Sequence, residues 1–170
     1  FHLKRFVSRE SAAQAQKRNE TYRADKNRAQ LRAKYTEYAA YLAALETRVD
    51  ISAADPLTYN RISELSQRTN RRTNGVRYTV PQLRERASSP EVRLYAVTVS
   101  DRFSDLGLVG AIEVEGEVLT LFSLSCRALG RDIENKMLEF LRRERPVSGF
   151  LWKPTGKNDD MQKLLAEGLP

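Results

Sequence analysis

The sequence predicts an α+β domain with a mixed, mostly antiparallel sheet flanked by helices, set behind a helical N-terminal extension. Three observations predict it. Residues 93–100, 107–115 and 117–126 are rich in Val, Leu, Ile and Tyr and are joined by short loops, the pattern of adjacent antiparallel strands. Next, Ile133, Met137, Leu138 and Leu141 form one apolar stripe at helical spacing, followed by a further strand over 150–153. A crossover through such a helix returns its strand parallel to the one before, which makes the sheet mixed. Finally, residues 8–46 lack Gly and Pro and are dominated by Ala, Gln, Arg, Glu and Lys, so they read as helix.

Each element has a local reason. Within 8–46, Tyr35, Tyr38, Leu42 and Leu45 fall at helical spacing, whereas 14–27 has almost no apolar stripe and suits a helix that bridges to a neighbour. Residues 48–51 are a short strand. Asp55-Pro56 reads as an N-cap with Pro at the first helical position, opening a helix to about Arg68 that buries Ile62 and Leu65. A polar loop, 69–75, separates it from a second short helix that opens at Thr79-Val80-Pro81 and ends before Ser88-Ser89-Pro90. Gly116, between two glutamates, fits a tight hairpin. Strand gives way to helix at 127–131, and a last helix covers about 159–167. The division expected is a helical extension over 1–46 and one domain over 47–170.

The 170 residues are 41 % hydrophobic and 30 % charged, enough for a packed core. No apolar run approaches the roughly 18 residues of a membrane span. The single cysteine excludes an internal disulfide, and the single histidine, His2, near the N-terminus, leaves little for histidine acid–base chemistry or common zinc sites; no metal is expected. The sequence opens at Phe1 without Met or a signal-like apolar segment, so a processed piece of a cytoplasmic protein is expected. Net charge is +7 and uneven. Residues 1–50 hold 11 Lys/Arg against 6 Asp/Glu and 61–86 hold 7 against 2, whereas 87–170 hold 11 against 13. That field favours an anionic partner. Nucleic acid is a poor fit, because 68–86 offers only Tyr78 as a stacking residue.

The most informative segment is Ser125-Cys126-Arg127-Ala128-Leu129-Gly130-Arg131-Asp132-Ile133-Glu134. An apolar strand runs into a loop with two arginines and a glycine, and a helix begins there. Unpaired N–H groups and the dipole at a helix N-terminus favour a phosphate, Gly130 allows close backbone approach, and Arg127 and Arg131 add charge-assisted bonds. Cys126 is expected on the strand face of Leu124 and Phe122. Two readings stand for it: a small buried hydrophobe, or a nucleophile suited to acyl or thioester exchange.

These residues carry a family resemblance. Gln67-Arg68-Thr69-Asn70 leading into Arg77-Tyr78-Thr79, Asp101-Arg102-Phe103-Ser104-Asp105-Leu106-Gly107-Leu108-Val109-Gly110, the 125–134 segment and the weaker Pro154-Thr155-Gly156-Lys157-Asn158 occur in family order. Over about 48–168 the chain resembles the C-terminal domain of FkbH-like proteins, which in the family follows a haloacid-dehalogenase-type phosphatase domain. The resemblance implies a fold like the Gcn5-related N-acetyltransferases, with the loop matching 127–132 (Arg127, Gly130, Arg131, Asp132) holding the phosphate of coenzyme A or of a carrier-borne phosphopantetheine. It implies transfer of an acyl unit, typically glyceryl, onto an acyl carrier protein in polyketide-type biosynthesis, with Cys126 as the acyl-carrying residue. Asn70, Arg77 and Asn158 are then the candidate groups around the acyl unit. The phosphatase domain is absent from this sequence, and Thr69-Asn70-Arg71-Arg72-Thr73-Asn74 is shorter and more basic than the family's corresponding stretch. The alternative is a non-catalytic module that binds the carrier or coenzyme A while the chemistry resides in the missing phosphatase domain.

Overall fold

A computed structural model describes residues 9–169, with the side chains of Arg9 and Glu10 left undescribed; His2 lies outside that range. Two compact units are present, one comprising 1–47 with 101–105, the other 48–100 with 106–170.

In the first unit, the expected continuous helix is two: α1 (Arg9–Ala33) and α2 (Tyr38–Leu45). The break has a local cause. Lys34 and Tyr35 donate to Leu31 and Arg32, three residues back, tightening the last turn, and the Arg32 guanidinium caps the Tyr35 carbonyl at 2.8 Å. Over 11–23 α1 is fully exposed, as its polar sequence requires. Further along, Ala24, Arg28 and Leu31 are buried. Arg28 grips Asp101 with two bonds of 2.7 and 3.0 Å and also reaches Ser104 at 2.6 Å and Asp25 at 2.8 Å. The two interlocked side chains are 7 % and 0 % exposed. Burial alone raises the Asp101 carboxyl, but hydrogen bonds from Arg28 and the Phe103 and Ser104 N–H groups, with the Arg28 charge, hold it below its ordinary value. The 101–105 loop, singled out as a motif, is thereby explained as the seat of α1.

The second unit is the expected α+β fold. Its elements are β1 (Arg48–Ala53), α3 (Tyr59–Arg68), β2 (Arg72–Thr73), α4 (Val80–Ala87), β3 (Val92–Ser100), β4 (Asp105–Glu115), β5 (Val118–Leu124), α5 (Ile133–Glu144), β6 (Gly149–Phe150) and α6 (Asp159–Gly168). The sheet order is β1-β3-β4-β5-β2, with β6 also on β5. β1 with β3, β4 with β5 and β2 with β5 are antiparallel, and β5 with β6 is parallel, as the crossover helix demands. Asp55 caps a short 3₁₀ turn ahead of α3 by accepting from Leu57 N–H, and Thr79 and Gln82 form a reciprocal capping box on α4.

Strand alternation sends side chains to two cores. On one face Val97, Val99, Ile112, Phe122 and Leu124 pack against Ile133, Met137, Leu138 and Leu141 of α5 and Met161 and Leu165 of α6. On the other, Leu94, Ala96, Ala111 and Leu121 meet Tyr59, Ile62 and Leu65 of α3 and Leu83 of α4. Each fully buried Leu or Phe contributes about 1.5–3 kcal/mol, so the sheet's position between its helices is set chiefly by this burial. One irregularity interrupts the register between Glu113 and Val114, where Thr120 of β5 is the extra residue of a bulge.

Two differences from expectation matter for the site. β2 lies inside the segment expected as loop; two residues in a polar run carry no strand pattern, and only the neighbouring edge of β5 makes them one. The 150–153 strand shortens to Gly149–Phe150 because its last bond to β5 is from the Leu151 N–H and Lys153 then bonds Asn74 instead.

Candidate functional site

β5 ends at Leu124, and the Ser125 N–H makes the final strand-like bond, to the Val109 carbonyl at 2.7 Å. The chain then turns. Ser125 caps a 3₁₀ turn, Cys126–Ala128, by accepting from Arg127 N–H. Cys126 is therefore not on the strand face of Leu124 and Phe122; it stands at the first position of this turn with its thiol exposed. The buried-hydrophobe reading is thus corrected, because the extended conformation that would have pointed it inward stops one residue too early.

Ala128, fully buried, pins the turn to the core, while Arg127 points outward. Gly130 adopts φ +78° and Asp132 φ +60°, and these two left-handed residues swing the chain so that α5 starts at Ile133, two residues later than expected. Arg131 donates to the Arg127 carbonyl at 3.2 Å, closing the loop on itself. Asp132 accepts from the Asn135 amide. Glu134, in the first turn of α5, is held aside by Arg72 of β2 at 3.1 Å.

The three remaining candidates lie on two loops that are bound together. Asn70 is exposed, and its Oδ1 accepts from Arg77 at 2.8 Å, while Arg77 also donates to the Gln67 carbonyl. The Thr155 hydroxyl donates to the Asn70 carbonyl at 2.5 Å. Asn158 is fully buried: its Nδ2 donates to the carbonyls of Thr73 and Lys153 at 3.1 and 3.0 Å, and its Oδ1 accepts from Thr155 N–H at 2.9 Å. Its amide is filled by the protein's own backbone, so Asn158 braces the 153–158 loop. Asn70 and Arg77 keep exposed edges.

Sequence reasoning missed Asn74, which is fully buried beside the outer edge of β5. Its Nδ2 donates to the Thr120 and Leu151 carbonyls at 3.0 and 3.1 Å, and its Oδ1 accepts from Phe122 N–H at 3.0 Å. Asn74-Gly75 looks like a turn dipeptide, and nothing local signals a partner on a strand 46 residues away.

A second missed cluster lies at Glu113. This buried carboxylate accepts from Arg86 at 2.7 Å and from the Thr120 hydroxyl at 2.6 Å, leaving Oε2 without a partner. Arg86 also stacks 5.1 Å from the Tyr78 ring centroid and reaches Glu115 at 2.9 Å. Burial, then the Glu113 charge, pushes the Tyr78 phenol up to about 12. One acidic residue at an inward phase of β4 was the available signal.

For a phosphopantetheine group, the 126–132 turn supplies a suitable donor set: two arginines, a left-handed glycine and the N–H groups opening α5. The gap between β5 and 151–153 does not suit it, because residues 73–75 fill that gap. Among the described residues no group of His, Cys, Asp and Glu could hold a metal ion, and no helix is long and apolar enough to cross a membrane.

No family model matches the chain, and no curated protein does. Among solved structures it is similar to a ribosomal-protein-alanine N-acetyltransferase from Brucella melitensis biovar Abortus 2308, at 14 % identity over 72 % of this chain and 92 % of that one, with a TM-score of 0.46. It is also similar to mutant forms of the spermidine/spermine N-acetyltransferase SpeG from Vibrio cholerae, at 14 % identity, 54 % of this chain, 59 % of that one and a TM-score of 0.38. The chain thus spans about three fifths of the SpeG length. The functional reading rests on the chain's own residues.

Proposed function

We propose that this chain transfers an acyl unit, glyceryl as the family resemblance implies, onto the phosphopantetheine thiol of an acyl carrier protein, through a thioester on Cys126. The supporting observation is the exposed thiol that opens the 126–132 turn, next to Arg127 and Arg131 and ahead of α5. In the first half-reaction the Cys126 sulfur attacks the carbonyl of an acyl thioester. A new C–S bond forms, the C–S bond to the donor breaks, and the donor sulfur leaves as a thiolate that takes up the proton Cys126 gave up. The carrier thiol repeats the exchange in reverse and frees Cys126. Each exchange trades one C–S bond for another, with the carrier or donor sulfur as the leaving group.

In this reading the phosphate of the arm rests on Arg127, Arg131, the Gly130 backbone and the start of α5, with Asp132 shaping the turn. Coenzyme A presents the same phosphate. Asn70 and Arg77 form the rim that meets the acyl unit, and Asn158 acts by positioning the loop beneath them. The basic 68–86 segment steers an acidic carrier, residues 47–170 are the working domain, and the setting is cytoplasmic.

The test is the intact mass of the chain after incubation with acyl-loaded carrier, beside Cys126→Ala. A hydroxylamine-labile adduct confined to the native chain supports the reading. Absence of any adduct, with carrier binding equal in both, replaces it with the non-catalytic binding module.

A further inference from the structure

The outer edge of β5 is shared by two pieces of chain, 149–151 and 72–74. At its start the edge belongs to β6, through Val118↔Gly149 and Leu119↔Phe150, with Leu151 N–H on the Leu119 carbonyl at 2.9 Å. At its end it belongs to β2, through Thr73↔Ser123 and Arg72↔Leu124. Between them sits Asn74. Its backbone N–H takes the Phe122 carbonyl at 3.0 Å, and its side-chain amide takes the Thr120 carbonyl and the Phe122 N–H. One primary amide thus stands in for a peptide group in the ladder. On the far side, Lys153 N–H bonds the Asn74 carbonyl at 2.8 Å. Residues 73–75 are in effect a short strand laid between β5 and 151–153.

This filler has no slack. Thr73 and Asn74 are 0 % exposed, and a Cβ on Gly75 would lie 1.8 Å from the Lys153 carbonyl oxygen. Its flanks are tied down by Arg72 to Glu134 and by Asn158 to the Thr73 carbonyl. An extended ligand bearing amides could enter the sheet here only by taking the backbone groups that Asn74 already satisfies.

We infer that residues 72–75 are a built-in strand that closes the edge of β5 to ligands, so that a thiol arm anchored at the 126–132 turn runs over the protein surface. Resting on the function proposed above, this deepens it: the arm's thiol is kept on the exposed side with Cys126, and the substrate class is a thiol arm offered from outside on a bulky carrier, with no need to thread it between strands.

Hydrogen exchange followed by NMR on the full chain tests this, first alone and then with saturating coenzyme A. The reporters are the N–H groups of Asn74, Phe122 and Lys153. Alone, they are expected to exchange within about tenfold of the slowest core amides, as groups freed only by global opening do. With coenzyme A they stay unchanged while amides of 127–136 slow. Exchange about a hundredfold faster than the core in the free chain, or acceleration on adding coenzyme A, overturns the inference. Silence at 127–136 on adding coenzyme A is a separate outcome: it counts against the phosphate reading, while the free-chain comparison still decides whether the strand is fixed.

Discussion

Replacing Asn74 by Ala removes the one side chain that bonds β5 and the 151–153 segment at once. Two buried backbone groups, the Thr120 carbonyl and the Phe122 N–H, and the partly buried Leu151 carbonyl lose their partner. Leaving a buried polar group unsatisfied costs about 1–3 kcal/mol. Relief of the asparagine's own desolvation offsets part of the total, so the expected loss is about 3–5 kcal/mol, a large share of the 5–15 kcal/mol typical of a domain. With a urea slope of about 2 kcal/mol per molar, the unfolding midpoint falls by about 2 M. Asn74→Asp should be no better, since it keeps the acceptor for Phe122 but sets a carboxylate against two carbonyls. Asn70→Ala is the control: its exposed side chain bonds Arg77, and the loss should stay under about 1 kcal/mol. If Asn74→Ala cost no more than Asn70→Ala in urea unfolding, the edge-filling role would be refuted.

Three further perturbations test other parts of the structure. Gly75→Ala meets both a left-handed φ of +85° and the Lys153 backbone, whereas Gly156→Ala has φ +83° with nothing within 4 Å; the second should cost only about 1–2 kcal/mol and the first clearly more, compared by thermal melting. Asp101→Asn breaks a buried pair and should lose about 3–5 kcal/mol near neutrality. Because the folded carboxyl lies below its ordinary value, the stability it confers is full above that value and disappears as pH falls through the lowered one. Urea unfolding of the variant should lack that acid-side decline. Tyr78, raised from 10.0 to about 12, should give a high-pH phenolate step in an ultraviolet titration that Tyr78→Phe removes. Its contribution is full below pH 10 and is lost as pH rises toward 12, and Tyr78→Phe should abolish that alkaline decline.

Much of the architecture was legible because it depends on short-range pattern. The stripe of Ile133, Met137, Leu138 and Leu141 specifies α5 within two residues, Asp55-Pro56 and Thr79 mark helix starts by capping, and Gly116 at φ +59° makes the β4–β5 hairpin. The parallel return of β6 follows from the handedness of a crossover. The composition of 9–33 specifies a polar helix, and the break at 34–37 was lost because only backbone bonds three residues back reveal it.

The site was legible in part. Arg127, Gly130, Arg131 and Asp132 share the turn their sequence suggested, since turn and helix start are local properties. Cys126 was misplaced because β5 ends at Leu124 and a 3₁₀ turn begins at Cys126, and the alternation of sides holds only while the backbone stays extended. Asn158 was named for its polarity, yet its amide faces the backbone of Thr73, 85 residues away. Asn74, Glu113 and the Arg28–Asp101 grip share that property: each is a buried polar group whose partners lie 7 to 77 residues off. By itself the sequence determined most of the helices and the long strands, which faces are apolar and where a phosphate turn could form, because these follow from neighbours within a few residues. Tertiary structure alone decided which polar side chains brace the interior and which reach the surface. A buried amide or carboxylate must find its partner wherever the folded chain brings one, and no local pattern encodes that.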